Sequence, residues 1–301
     1  MGLAVIFPGQ GSQTAAMFAP FAGTAAGGVL DQVLHLTGLV LDQQGHLPAE
    51  AIFANRHAQP LAVAHGVGLW TVLAPLLPRP AAILGYSVGE ISAAHAAGAL
   101  SAEAAPALAV DRAGLMDGAC AEPQAMLALR GRLDGLMDRV AEAGAYPAIL
   151  NGPEHLVVAG TRVAVDRLTA GLGQTALTVR PLQVSVASHC PLMAPAVAGL
   201  RGLLDKILTR PRVPFIGAWN ARRALTREAL VTALAEQIAA PVRWASTLDA
   251  AIEHGARAFL EIGPGDQMTR IVRDLHPRMP ARSLAEFRSP AGAAAWVEKV
   301  L

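Results

Sequence analysis

Ala81-Ala82-Ile83-Leu84-Gly85-Tyr86-Ser87-Val88-Gly89-Glu90 carries the reading on which the fold turns. Its first four residues have the length and content of a buried strand, and the stretch from Glu90 to Ala97 favours a helix. Between them stands a serine with a glycine two positions away on either side, a spacing that suits a sharp strand-to-helix turn. Without side chains at the glycines, the two elements can close around a strained serine whose hydroxyl stays exposed. The next helix aims its N-terminal N–H groups and the positive end of its dipole at the same spot. A nucleophile that must stabilise an oxyanion needs that geometry, so Ser87 is the candidate catalytic residue.

Outward from this turn, strand and helix patterns alternate through the first third of the chain. Leu3 to Phe7 reads as a strand, Pro60 to Leu77 as a helix stopped by Pro78, and Ala81 to Leu84 as a second strand. Ser101 is placed to cap a helix running to about Met116, with Glu103 in its first turn. Such alternation predicts a mainly parallel sheet covered on both faces. The middle third differs. Ala125 to Leu129 reads as a strand, Leu133 to Ala143 as a helix, and Ala148 to Asn151 with Leu156 to Ala159 as a strand pair around Asn151-Gly152-Pro153. Val163 to Leu172 is a second helix, and a last strand lies between Thr175 and Val186. The order βαββαβ predicts a small split-βαβ insert of ferredoxin-like type. From Pro191 the α/β pattern resumes, with a strand at Ala258 to Ile262, a turn at Gly263-Pro264-Gly265 and a helix from Asp266 to Leu275.

Composition narrows the function classes. The 301 residues suffice for one large domain or two small ones, and 53% hydrophobic against 16% charged residues excludes disorder. The mean hydropathy of +0.39 raises the question of a membrane. Yet no run approaches the roughly 18 apolar residues of a span, and Glu90, His95 and Glu103 interrupt the most apolar region. Leu3 to Phe7 is too short for a signal-peptide core and lacks a basic flank, so a cytoplasmic protein is expected. A net charge of +1 gives no electrostatic case for nucleic acid or an anionic membrane. Cys120 and Cys190 are too few for a disulfide framework or a four-thiolate zinc site and are expected as free thiols. No His-x-x-x-His or paired-cysteine spacing supports a metal. Gly9-Gln10-Gly11 and Gly171-Leu172-Gly173 lack the rest of a dinucleotide fingerprint.

A free serine hydroxyl is almost wholly protonated at neutral pH, so Ser87 needs a base. Nine histidines are available, and spacing alone does not choose among them.

Phe7-Pro8-Gly9-Gln10-Gly11-Ser12-Gln13, Gly85-Tyr86-Ser87-Val88-Gly89-Glu90, Ser185-Val186-Ala187-Ser188-His189-Cys190 and Glu261-Ile262-Gly263-Pro264-Gly265 span nearly the whole chain. In sequence and order they resemble the opening, nucleophile, histidine and C-terminal motifs of the malonyl-CoA:acyl carrier protein transacylases. The resemblance implies an α/β-hydrolase-like core over residues 1–123 and 189–301, with a ferredoxin-like small subdomain over 124–188. It implies Ser87 as nucleophile, His189 as general base and then acid, and the backbone N–H groups of Gln10 and Val88 as the oxyanion hole. Donors of that kind are worth about 3–4 kcal/mol each. The family orients its histidine with a backbone carbonyl, and the matching position is Gln237. Arg112, 25 residues past the nucleophile, matches the family arginine that grips the substrate carboxylate. A guanidinium fork suits a malonyl carboxylate, whereas an ordinary helical arginine would serve a solvated face or pair with Asp111 or Asp117. No resident cofactor is implied. Malonyl-CoA is the donor substrate, and the prosthetic thiol of a carrier protein is the acceptor.

Two positions depart from or qualify the pattern. Tyr86 stands where the family commonly has histidine; a phenol titrates near pH 10, so it can donate a hydrogen bond to substrate but not carry protons at neutral pH. Ser188 before His189 also occurs in free-standing malonyl enzymes, so it is not read as a branched-extender preference. Tyr86 and the tail Ala281-Arg282-Ser283-Leu284-Ala285-Glu286-Phe287-Arg288-Ser289 are most similar to one branch, the epsilon subunit of malonate decarboxylase, which loads the carrier subunit of that enzyme. Transacylases of fatty-acid or polyketide synthesis are the alternative. A serine esterase or thioesterase is a further rival, with Asp166 as the acid between serine and histidine in chain order, and a scaffold with a vestigial site is the rival outside enzymes.

Overall fold

The computed structural model describes residues 2–21, 23–173 and 176–301. The chain opens with β1 (Leu3–Phe7), α1 (Gly27–Thr37), α2 (Asn55–Leu73), β2 (Ala82–Gly85), α3 (Gly89–Ala96) and α4 (Ala104–Gly118). It continues with β3 (Gln124–Arg130), α5 (Leu136–Glu142), β4 (Tyr146–Gly152), β5 (His155–Thr161), α6 (Arg162–Leu172) and β6 (Thr178–Pro181). The last third holds α7 (Ala194–Ile207), β7 (Phe215–Gly217), β8 (Arg222–Ala224), α8 (Arg227–Glu236), α9 (Trp244–Glu253), β9 (Ala258–Glu261), α10 (Gln267–Leu275), β10 (Ala281–Ser283) and α11 (Pro290–Val300).

Two sheets result. The larger has the order β10-β9-β1-β2-β7-β8, parallel throughout except for the β7–β8 hairpin at one edge. Its central strands are buried at every position and apolar but for Glu261 at the end of β9, as parallel strands covered on both faces must be. Side chains alternate along β1: Leu3, Val5 and Phe7 join the core under α2, α3, α4, α7 and α8, while Ala4 and Ile6 face α9 and α10. The smaller sheet is wholly antiparallel, order β4-β5-β3-β6. One face, with Leu127, Leu129, Leu156 and Val158, packs on α5 and α6. The other, with Met126, Val157 and Ala159, packs into the core that also holds Tyr86 and Trp244.

The alternation predicted for the first third and the βαββαβ order of the middle third are both present. The strand predicted between Thr175 and Val186 is β6, and Thr175 itself lies outside the described residues. One boundary is corrected. The helix predicted to start at Pro60 starts at Asn55, with Pro60 inside it. The missing proline N–H falls in the second helical turn, and burial of α2 at nearly every position outweighs the loss of one backbone bond. Among the described residues no helix is long and apolar enough to cross a membrane, and no group of three or more His, Cys, Asp or Glu is arranged to hold a metal.

Candidate active site

β1 and β2 run side by side and end together, Phe7 opposite Gly85, so the loops leaving the two strands meet at one edge of the sheet. After β2 the chain turns at once into α3. A side chain at Gly85 would come within 2.3 Å of the Glu90 backbone, and one at Gly89 within 2.3 Å of the Phe7 carbonyl oxygen. Both positions therefore require glycine, and their closeness forces Ser87 into the left-handed region at φ +54°.

His189 also has a positive φ, +64°, and it is fixed by its own N–H donating to the Ile238 carbonyl at 2.7 Å. Its ring links the two sides of the site. Nε2 lies 2.8 Å from Ser87 Oγ, and Nδ1 lies 2.7 Å from the Gln237 carbonyl oxygen. A carbonyl can only accept, so Nδ1 carries the proton and Nε2 offers its lone pair to the serine hydroxyl. Burial holds the imidazole well below its ordinary value, to about 3, with the charge of Arg112 acting in the same direction and the Gln237 carbonyl opposing it. The ring is thus neutral at physiological pH, the state a general base needs. Asp166, the acid of the esterase rival, is exposed on α6, and the ring nitrogen it would orient is already used by Gln237.

Gln237 does more than orient the histidine. Its side-chain Nε2 donates to the Ser87 carbonyl at 3.0 Å, and its Oε1 accepts from Arg112 Nη2 at 3.3 Å. Arg112 lies on the buried face of α4, 4% exposed, and its Nη1 donates to Gln59 Oε1. Gln59 is held in turn by Asn55, which reaches Asp117 at 2.8 Å. Neither Asp111 nor Asp117 pairs with the guanidinium, whose hydrogen bonds end on neutral amides. Desolvation draws Arg112 down to about 10, with Glu90 opposing the shift, so it stays charged at neutral pH. Ser87, Glu90, Arg112 and Gln237 line one cavity, whose remaining walls are Ile91, Leu108, Leu200, Leu204 and Leu234.

Gln10 comes after β1 and approaches the elbow: a Cβ added at the neighbouring Gly9 would stand 3.4 Å from Ser87 Cβ. The backbone N–H groups of Gln10 and Val88 have no hydrogen-bond partner among the described residues. The Gln10 side-chain oxygen is buried and likewise unpartnered. Glu261, from the C-terminal motif, serves the fold: its buried carboxylate accepts from the backbone of Met268 and Thr269 at the start of α10. Cys190 is buried and Cys120 half-buried, both as free thiols.

Known proteins carry the same arrangement of chain. The family model for the acyl transferase domain matches residues 5–285. The malonyl CoA-acyl carrier protein transacylase of Escherichia coli K12 is 32% identical over 306 residues, 96% of this chain and 98% of its own length. The chain belongs to the malonyl-CoA:acyl carrier protein transacylase family. Among solved structures, the transacylase of Xanthomonas oryzae pv. oryzae superposes with a TM-score of 0.89 at 32% identity, over 100% of this chain and 99% of the other. A malonyl-transacylase solved in complex with its type II polyketide acyl carrier protein gives 0.89 at 30% identity, over 97% and 99%.

Within this transacylase the motif residues do not all face the cavity. Ser87, His189, Gln237 and Arg112 converge, and Gln10 and Val88 flank them. The Tyr86 ring turns the other way, edge-on to Trp244 at 5.1 Å, and its hydroxyl donates to Asn151 Oδ1 on β4 at 3.1 Å. It is not among the cavity residues, so the expected substrate contact from Tyr86 does not match this placement. Its hydroxyl is spent on the small sheet. Ser188 likewise turns to Met126 of that sheet. Two residues beside the site had no assigned role from sequence: Gln59, which holds Arg112 and lies one residue before the predicted helix start, and Glu90, which lines the cavity and stands inside the nucleophile motif itself.

Proposed function

We propose that this chain moves a malonyl group from malonyl-CoA to the pantetheine-type thiol of an acyl carrier protein, through a malonyl ester on Ser87. The observation that carries the reading is Arg112, a buried guanidinium in the cavity of the nucleophile whose hydrogen bonds go to the amides of Gln59 and Gln237 and which, among the described residues, forms no ion pair within 4 Å. His189 Nε2 takes the proton of Ser87 as Oγ attacks the thioester carbonyl. The N–H groups of Gln10 and Val88 hold the oxyanion, the C–S bond breaks, and the CoA sulfur leaves with the proton from His189. A carrier thiol then gives its proton to His189 and attacks the ester; the C–O bond breaks and Ser87 recovers its hydrogen. Arg112 holds the acyl carboxylate through both half-reactions. A charge-assisted pair of about 1.5–3 kcal/mol corresponds to a tenfold to hundredfold preference over an uncharged acyl group.

The donor and product are CoA compounds, which fits a cytoplasmic enzyme with no resident cofactor. We read residues 1–123 and 189–301 as an α/β-hydrolase-like unit and 124–188 as a ferredoxin-like subdomain, supported by the strand order β4-β5-β3-β6 with α5 and α6 on one face. The relative solved with its polyketide acyl carrier protein supports that acceptor class. The narrower reading, the epsilon subunit of malonate decarboxylase with that enzyme's carrier subunit as partner, rests on Tyr86 and the tail from Ala281 to Ser289 alone.

One experiment tests both levels. Malonyl-CoA is offered with a fatty-acid carrier protein, a malonate decarboxylase carrier subunit, or water alone, and intact-mass spectrometry tracks the chain. An adduct of one malonyl group on Ser87, absent from Ser87→Ala and discharged by a carrier thiol faster than by water, is the expected outcome. Discharge by water at the carrier rate would make the protein a thioesterase. The carrier with the higher kcat/KM decides between the two branches.

A further inference from the structure

Glu90 lies three residues past Ser87, in the first turn of α3, and shares the cavity with Arg112. It is 2% exposed. Its Oε1 accepts the Ala218 N–H at 2.7 Å, whereas Oε2 is buried and has no hydrogen-bond partner among the described residues. Among the described residues no ion pair within 4 Å joins it to Arg112, although the two charges are close enough to act on each other, and both side chains line the cavity. If the chain is a malonyl transferase, its substrate brings a second carboxylate into this apolar-walled space beside one cation. Two carboxylates confined together do not both ionise cheaply, and one of them keeps a proton. With Oε1 committed to an N–H donor, the proton belongs on Oε2, the oxygen that lacks a partner.

We propose that Glu90 in its protonated form is a second substrate-binding group, donating Oε2–H to the malonyl carboxylate that Arg112 holds, so that binding takes up a proton whenever Glu90 starts ionised.

The electrostatics agree with this geometry. Burial raises the carboxyl to about 8, while the Ala218 N–H, Arg112 and the Gln237 amide pull it down. Arg112 from α4 is the other charged group lining the cavity. α7 and α8 contribute Leu200, Leu204 and Leu234, Gln237 stands just past the end of α8, and His189 is neutral at these pH values. The start of α3 favours the ionised form, but burial outweighs it.

The test uses Ser87→Ala, in which binding proceeds without acyl transfer. Titration calorimetry at pH 8.5, in two buffers of different ionisation enthalpy, counts protons taken up per ligand. A carboxyl titrating near 8 gives an expected uptake of about three-quarters of a proton with malonyl-CoA. No uptake is expected with acetyl-CoA, and none with malonyl-CoA once Glu90→Gln is added, because the amide remains a neutral donor at every pH. In the otherwise unmodified enzyme, the ratio of kcat/KM for malonyl-CoA over acetyl-CoA falls about tenfold per pH unit above 8. Malonyl-CoA binding without proton uptake, or a malonyl-to-acetyl ratio that stays flat to pH 9.5, overturns the role of Glu90 and leaves the transferase reading standing. Failure of malonyl-CoA to bind better than acetyl-CoA at any pH overturns the transferase reading as well.

Discussion

The two ends of the cavity are built by opposite means. At the reacting end, Ser87 and His189 both lie in left-handed backbone on turns, at φ +54° and +64°. Each such residue costs about 1–3 kcal/mol, which the packing around Gly85 and Gly89 and the bond to Ile238 must hold in place. At the end proposed to bind the acid, Gln59, Glu90 and Arg112 sit on ordinary helices, their side chains held by hydrogen bonds. The difference reflects the tasks. Attack on a carbonyl demands an angle and a distance, which a constrained backbone supplies. Recognition of an anion demands a charge left uncancelled in a dry place, which a helix can present if its neighbours are amides. Gln237 joins the ends, its carbonyl on His189 and its side chain on Arg112 and Ser87.

The largest effect is expected at the reacting end. His189→Ala removes the base, and acyl-enzyme formation in single-turnover assays should drop by about 10⁴-fold or more, for malonyl and acetyl donors alike. A loss below tenfold would mean that the imidazole 2.8 Å from Ser87 is not the proton acceptor. The other end should respond selectively. Arg112→Ala is expected to lower kcat/KM for malonyl-CoA by about ten- to a hundredfold while acetyl transfer is kept or improved. An unchanged malonyl preference would remove the acid-binding end altogether.

Gln59 separates position from charge. Gln59→Leu deletes one hydrogen bond to Arg112, worth about 1 kcal/mol, so KM for malonyl-CoA should rise about fivefold with kcat nearly unchanged. Gln59→Glu keeps an acceptor at the same place but sets a negative charge directly against the Arg112 guanidinium. Its malonyl preference should fall as far as that of Arg112→Ala. Equal effects of the two variants would show that the amide neighbours matter for geometry and not for leaving the guanidinium uncancelled.

How much of this was legible in the sequence divides along the same line. The elbow is local: five residues and the apolar run before them encode strand, turn and helix, and the structure has all three. The middle third was legible because alternating short elements imply their own neighbours, and each predicted strand found its partner in one antiparallel sheet. Convergence of Ser87, His189, Gln237 and Arg112 was not local, and only the family resemblance could bring together residues separated by up to 150 positions. Gln59 was lost for a physical reason. A proline usually opens a helix, so placing the boundary at Pro60 cut away the turn that carries Asn55 and Gln59. Burial against α4 overrode that preference, and no periodicity in α2 signals it, because the helix is buried nearly all round.

Tyr86 belongs to neither end, and the smallest effect is expected there. Ser87 beside it lines the cavity, yet the Tyr86 hydroxyl serves Asn151 on β4, and burial pushes that phenol far above its usual range. Tyr86→Phe preserves the contact with Trp244 and removes one donor, leaving the buried Asn151 oxygen unpaired at a cost of about 1–3 kcal/mol. The expected signature is a lower Tm with kcat and KM for malonyl-CoA unchanged within about twofold. A variant of normal stability whose KM shifts would place the phenol in the cavity after all, and the comparison would then need a third wall reaching the substrate from the small sheet.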